Sequence, residues 1–365
     1  MKKSLLATTA LAALGAVAVA GPATAAEKIK VSVGGYMEQW FGYADSSNSA
    51  QANSDGFDQQ SDGEIHFKGS TTLDNGIKIG INVQLEAQVS ADTIDEQFAY
   101  VEGSFGRINL GSENAASYLM HYGIPSMGAG LDSGDSSNWV AGTEFTMART
   151  NGRGLDNDAE KLTYFTPRFS GFQLGASYVP SIAQDADAAP AQNDAVRDDS
   201  FSVAMNFNRA FGDIKVEASA GYQDFGDDDG IVGGDLESYQ FGLRLGFGGF
   251  GIAGTYGEED RGNNSFGAAD RARLGLANDQ EFAGTQETFG AGVNYAAGPY
   301  GVSLAYIGSE IKDLNKEQDV FELGAKYLLG PGVEARGSIY YSEADEANAD
   351  IAKGFAVVGG LKLGF

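Results

Sequence analysis

The chain has 365 residues, with 50 Asp and Glu against 24 Lys and Arg, 52 Gly, 22 Phe, 16 Tyr and no Cys. A formal charge of −26 excludes a nucleic-acid partner, which needs a basic face, and the missing Cys excludes disulfides and Cys-ligated metals. Glycine at about 14%, roughly twice its usual share, with abundant Phe and Tyr and no long window of helix formers after the N-terminus, points to strands and turns.

Residues 1–25 read as a secretory signal peptide. Lys2 and Lys3 precede the apolar run Leu5–Ala20, then Pro22 and an A-x-A pattern at Ala23, Thr24 and Ala25. The run is short for a membrane anchor and no basic stop-transfer flank follows. The mature domain is therefore expected over 26–365. Its charge is −28, since −26 loses the two positive charges of Lys2 and Lys3. No second apolar stretch of helical-span length occurs. A membrane β-barrel stays open, because its strands bury only alternate residues in lipid.

Period-2 alternation then recurs to the C-terminus. Strand one is expected over 29–43, with Ile29, Val31, Val33, Met37, Phe41 and Tyr43 on one parity. Strand two, 64–73, sets Ile65, Phe67 and Leu73 against Glu64, His66 and Lys68, and Asp74-Asn75-Gly76 forms a hairpin turn. Strand three is the clearest. Ile77, Ile79, Ile81, Val83, Leu85, Ala87 and Val89 alternate with Lys78, Gly80, Asn82, Gln84, Glu86 and Gln88, giving one apolar and one wet face. Strands four and five, 96–104 and 106–112, put Ala99, Val101, Ile108 and Leu110 outward and Glu102, Arg107 and Asn109 inward.

Residues 113–158 break the alternation. A connection this long is functional or disordered. Tyr118, Met120, Tyr122, Ile124, Met127, Leu131, Trp139, Phe145 and Met147 need something to pack against, so disorder is the poorer reading. An apolar and acidic loop of this size suggests a plug or constriction folded into a barrel.

Beyond it, 161–180 reads as two strands joined at Phe169-Ser170-Gly171, with an ambiguous parity around Phe165 and Pro167. Nine further strands follow, with tight turns near 212, 248, 298 and 331 and a last strand over 353–365. Sixteen strands leave fifteen connections, and short turns alternate with longer ones near 44–62, 90–95, 113–158, 180–199, 225–236, 257–286, 310–318 and 343–352. An antiparallel up-and-down barrel with turns at one end and loops at the other gives this pattern. A soluble propeller or sandwich would not sort its connections so, nor place Phe105, Phe169, Phe211, Phe247, Phe250 and Phe365 beside the turns, as an interfacial aromatic girdle does.

FAYVEGSFGRINLGSENAA at 98–116, YFTPRFSGFQLGASYVP at 164–180 and the terminal GGLKLGF resemble the general porins of Gram-negative outer membranes, most closely the alphaproteobacterial type. The resemblance covers the mature chain. It implies an all-β, 16-stranded antiparallel transmembrane β-barrel in the outer membrane, assembled as a homotrimer among lipid and lipopolysaccharide. It also implies that the third long loop narrows the pore and that the barrel-assembly machinery reads Phe365 as its signal. The loop at 113–158 lacks the short Pro-Glu-Phe-type tip of enterobacterial members.

No enzymatic chemistry is expected. His66 reads as wall lining and His121 as packed within the loop; neither sits in a nucleophile motif. Asp227, Asp228 and Asp229 offer oxygens of the kind Ca²⁺ takes, but without EF-hand spacing a solvated acidic loop is the better reading, and no cofactor is expected. The expected function is passive diffusion of small hydrophilic solutes and ions. A substrate-selective channel, for sugars for example, is the alternative, and a non-conducting adhesion or structural barrel the weaker one. Asp132, Asp135 and Glu144 are the expected acidic constriction residues, facing a basic wall of Lys68, Lys78 and Arg107. Opposed signs across the pore, beneath an acidic mouth on the loop side, predict weak cation preference.

Overall fold

The structure is a computed structural model that describes residues 28–48, 55–87, 94–131, 135–140, 156, 159–182, 198–226, 236–264, 282–312, 315–346 and 349–365. Among them sixteen strands form one closed antiparallel barrel in which each strand pairs with its sequence neighbours and the last with the first. The first five are β1 (Lys30–Asn48), β2 (Gly56–Thr72), β3 (Lys78–Glu86), β4 (Glu96–Gly103) and β5 (Gly106–Ser112). After the long connection come β6 (Glu160–Phe165), β7 (Phe172–Ser181), β8 (Asp198–Phe211), β9 (Ile214–Asp224), β10 (Glu237–Phe247) and β11 (Phe250–Asn264). The set closes with β12 (Phe282–Ala297), β13 (Tyr300–Ile311), β14 (Lys316–Gly330), β15 (Val333–Glu346) and β16 (Ala349–Gly364).

Burial is inverted relative to a soluble protein. Phe41, Leu110, Leu174, Phe241, Leu243, Val293, Leu304, Leu323 and Leu361 are exposed, whereas Ser202, Gln223, Gln240, Thr288, Ser309 and Glu322 are buried. Period-2 geometry separates the sets, apolar outward and polar inward, as a barrel in lipid requires. Phe169, Phe172, Phe211, Phe247, Phe250, Tyr300 and Phe365 lie outward near the short turns. At the loop end, outward tyrosines bond carboxylates instead: Tyr222 to Glu237 at 2.6 Å, Tyr256 to Glu258 at 2.6 Å and Tyr341 to Glu343 at 2.6 Å. Each ring sits at an apolar boundary with its hydroxyl on the wet side.

The strands outrun their expected ends on the loop side. The connection expected at 44–62 is largely strand, with Tyr43 opposite Phe57 and Ala44 opposite Gly56. Likewise β11 continues to Asn264, β15 to Glu346, and β16 starts at Ala349. These extensions are polar on both faces, as in Asp58-Gln59-Gln60-Ser61-Asp62, so hairpin pairing persists where hydrophobic alternation has stopped.

Closure joins β1 to β16 from Tyr36 opposite Gly364 to Asn48 opposite Ala352. The Gly35 N–H donates to the Phe365 carbonyl at 2.9 Å and the Phe365 N–H donates to the Gly35 carbonyl at 3.1 Å. Gly35 has φ +153°, and a Cβ there would overlap the Glu64 carbonyl, so the crossing of β1, β2 and the C-terminus needs glycine.

Candidate pore constriction

Residues 113–140 leave β5 and, where described, run along the inner wall. A four-residue helix α1 (Ala116–Leu119) starts the path, and a 3-10 turn at Asp135–Asn138 ends its described part. The chain is pinned mostly through its backbone. Ala116 N–H donates to Ser177 Oγ on β7 at 2.8 Å and Tyr122 N–H to Ser219 Oγ on β9 at 2.9 Å. Met127 N–H reaches Ser303 Oγ on β13 at 2.9 Å, and Ala129 N–H reaches Ser338 Oγ on β15 at 2.8 Å. Gln240 and Arg244 on β10 donate to the Ser117 and Gly123 carbonyls, and Tyr340 to the Gly130 carbonyl at 2.7 Å. Gln60 of β2 donates to the Asn138 carbonyl. The loop thus follows the wall from β7 around to β1 and β2.

Small wall residues make room for it. A Cβ on Gly242 of β10 would overlap the Tyr122 carbonyl, a backbone atom that cannot swing aside. On the far side Ile124, Leu131, Trp139 and Val140 bury against Trp40, Ala305, Ile307, Val320, Tyr340, Ala356 and Val358. That is the packing surface which the apolar side chains of the loop demand, and it explains why several inward positions of β13–β16 and β1 are apolar.

The neck of the loop is clamped by Lys161 of β6, which is 3% exposed. Its Nζ donates to the Glu113 carbonyl on one stem and to the Asp156 and Ala159 carbonyls on the other, the latter two at 3.0 and 2.6 Å. Beside it, Asn109 Nδ2 donates to both Glu113 oxygens at 2.9 and 2.7 Å. Burial pushes the Glu113 carboxyl up to about 7; the Glu96 carboxylate adds to this, while Asn109, Arg107 and Lys161 oppose it.

The expected acidic residues are only partly placed. Asp132 and Glu144 lie outside the described residues, as do Asp227, Asp228 and Asp229. Asp135 opens the 3-10 turn, and its side chain is not described. Lys68, Lys78 and Arg107 all fall on the inward parity. Lys68 is exposed and has no ion pair among the described residues. Lys78 lies over the Tyr100 ring, 5.6 Å from its centroid, and the Arg107 guanidinium stacks on the same ring at 4.0 Å. Arg107 also donates to Asn109 Oδ1 at 2.7 Å and stands 3.9 Å from Glu102.

The wall these cations share is not purely basic. Along β2–β5, Asp62, Glu64, Glu86 and Glu96 lie toward the loop end, and Lys68, Lys78 and Arg107 toward the turn end, with Glu102 the exception. Glu64 Oε2 sits 2.6 Å from His66 Nε2, and Tyr36 donates to Glu64 and Asp62 at 3.0 and 3.2 Å. Glu38 pairs with Lys362 across the β1–β16 seam. Charge is therefore segregated along the axis on this wall. Inward parity marks every one of these residues in the sequence. The contacts of Lys161, Arg244 and Lys362 have no such signal, because they depend on the path of the loop and on the seam.

Comparisons with known proteins agree with this architecture. A family profile described as Gram-negative porin matches residues 7–347. The porin of Rhodobacter capsulatus is 25% identical over 316 residues, covering 84% of this chain and 94% of that protein. A porin structure refined at 1.8 Å resolution superposes with a TM-score of 0.62 at 20% identity, over 92% of this chain and all of the other. The anion-selective porin from Comamonas acidovorans gives 0.61 at 15% identity, over 93% of this chain and all of that one. A closed barrel with lipid-facing apolar residues and polar side chains turned to its lumen is what such a channel requires, and with the profile spanning nearly the whole sequence the chain belongs to the Gram-negative porins, channel proteins of the outer membrane rather than enzymes.

Proposed function

We propose that this porin is a homotrimeric, weakly cation-preferring pore for small hydrophilic solutes, with residues 1–25 removed on export and residues 113–158 of the mature barrel (26–365) setting its constriction. The observation that carries the reading is the acidic loop half of the wall, at Asp62, Glu64, Glu86 and Glu96, in a mature chain whose net charge is −28, the −26 of the full chain less Lys2 and Lys3. A low-dielectric lumen lined with carboxylates focuses potential and enriches cations. Basic residues toward the turns oppose this. A weak cation preference remains. Screening over ~8 Å at physiological salt makes the preference strongest in dilute electrolyte.

Reversal potentials under a KCl gradient test this. The native channel should favour K⁺. Neutralising Asp132, Asp135 and Glu144 together should lower the preference and admit larger solutes, and Arg107→Gln should raise it. Anion preference in the native channel would overturn the assignment.

Assembly follows from side-chain size. Gly69, Ala87, Ala99 and Gly103 of β2–β5 and their margins share the outward parity, where other strands carry Phe201, Met205, Phe207 and Phe241. Small residues let protein surfaces approach; bulky ones suit lipid and lipopolysaccharide. Crosslinking in mild detergent should give trimers through this face, and a ladder that stops at the monomer counts against it. Phe365 would present the assembly machinery with its terminal aromatic.

A further inference from the structure

Beneath the root of the loop, on the turn side, lies a recess of about 680 Å³. The β4–β5 and β6–β7 connections flank it, and Glu102, Arg107, Glu113, Tyr122, Arg168 and Gln173 are among its lining. Its volume lies within the range that encloses small ligands.

The charges are unequal in effect. Arg168 is exposed and donates to the Gly171 carbonyl at 2.6 Å, Gln173 Oε1 at 2.8 Å and Asn206 Oδ1 at 2.7 Å. All three acceptors are neutral, and among the described residues no carboxylate pairs with this guanidinium. Arg107 is held flat on Tyr100, gives one hydrogen bond to Asn109, and has Glu102 only at 3.9 Å. Each guanidinium has five N–H donors. Arg107 spends only Nε and keeps its paired Nη1 and Nη2 edge for a solute, whereas Arg168 has both Nη2 hydrogens engaged and keeps single donors at Nε and Nη1. On the acidic side, the Glu102 side chain is 46% exposed, so it and the exposed Arg168 are both screened. Glu113 is 6% exposed and has both oxygens engaged by Asn109. With its carboxyl pushed up to about 7 by burial, it carries only part of a negative charge at neutral pH.

We propose that this recess is a subsite for small organic carboxylates, with Arg107 and Arg168 as its anion-binding groups. Arg107 offers a carboxylate two parallel N–H···O bonds, a geometry an ammonium cannot reproduce, and Arg168 adds its charge and a single N–H. Cations are then drawn to the loop-side wall while organic acids dwell at the turn-side end, both in one lumen. The proposal rests on the channel reading, and it is tested by binding so that the two can fail separately.

The test is saturation-transfer NMR of succinate with the purified barrel in lipid nanodiscs, with neutral succinamide as the control probe. Succinate should show saturable binding in the millimolar range and succinamide none. Arg168→Gln should weaken succinate roughly tenfold, and Arg107→Lys should weaken it several-fold although the charge is kept. Lys215→Gln, an inward cation outside the recess, should leave it unchanged. The subsite is overturned if native protein gives no succinate signal, if succinamide matches it, or if Arg168→Gln binds like native. Should Arg168→Gln not fold, Arg107→Lys and the succinamide comparison decide. KCl conductance, measured separately, bears on the pore reading alone.

Discussion

Deleting Phe365 is expected to remove most of the folded protein from the outer membrane and leave the chain in the periplasm. Phe365 extends the β1–β16 seam by the reciprocal pair with Gly35, at 2.9 and 3.1 Å. Each backbone hydrogen bond is worth about 1 kcal/mol net in water, and more at the edge of lipid, where water cannot replace it. The ring points outward beside the turn-side aromatics and adds roughly 1.5 kcal/mol of interfacial burial. A loss of roughly 3 kcal/mol or more at the seam weights the closed barrel down more than a hundredfold. Phe365→Ala separates two causes, since it keeps the backbone pair and removes only the ring. If that variant refolds in detergent yet fails to assemble in cells, the ring is read by the assembly machinery. If both variants reach native surface levels, the terminal residue has neither role.

The parts of this barrel that were legible in sequence are those where one face meets lipid and the other water. On β1, Val31, Val33, Met37 and Phe41 are exposed outward, while Glu38 and Trp40 are buried inward, as alternation alone predicts. Lys68, Lys78 and Arg107 were placed on the inner wall by the same parity. Alternation carries no signal where the contrast between the faces vanishes. Beyond the membrane both faces are wet, so the ends of β1, β2, β11 and β15 have the polar composition of loops. Against the loop both faces are apolar, since inward Ile307, Val320 and Val358 pack on Ile124, Leu131, Trp139 or Val140 instead of facing water. Phe165, ambiguous in sequence, faces inward beside Gly175 for a similar reason, with Met120 over that glycine. The wall expected to be basic carries both signs. On β2–β5 the two signs separate along the strands, and that requires knowing which end of each strand is the turn.

Lys161→Met is expected to loosen the neck of the long loop without unfolding the barrel. The ammonium is almost fully buried and its donors go to carbonyls from both stems, Glu113 on one side and Asp156 and Ala159 on the other. Methionine has similar length and no donor. Carbonyls left buried without one cost about 1–3 kcal/mol each, so water must enter or the stems must part. The rest of the loop stays seated, because Ser177, Ser219, Ser303 and Ser338 hold its backbone and the apolar cluster around Trp139 holds its far end. The change is thus confined to the neck of the loop beside β5 and β6. Single-channel recordings should show a larger and noisier open current, and liposome swelling should admit solutes that the native pore retards. Lys161→Arg should fall between the two, because its planar fork keeps the charge but cannot address carbonyls lying in three directions. Unchanged conductance, noise and heat stability in Lys161→Met would show that the serine pins and the apolar seat fix the neck without the clamp.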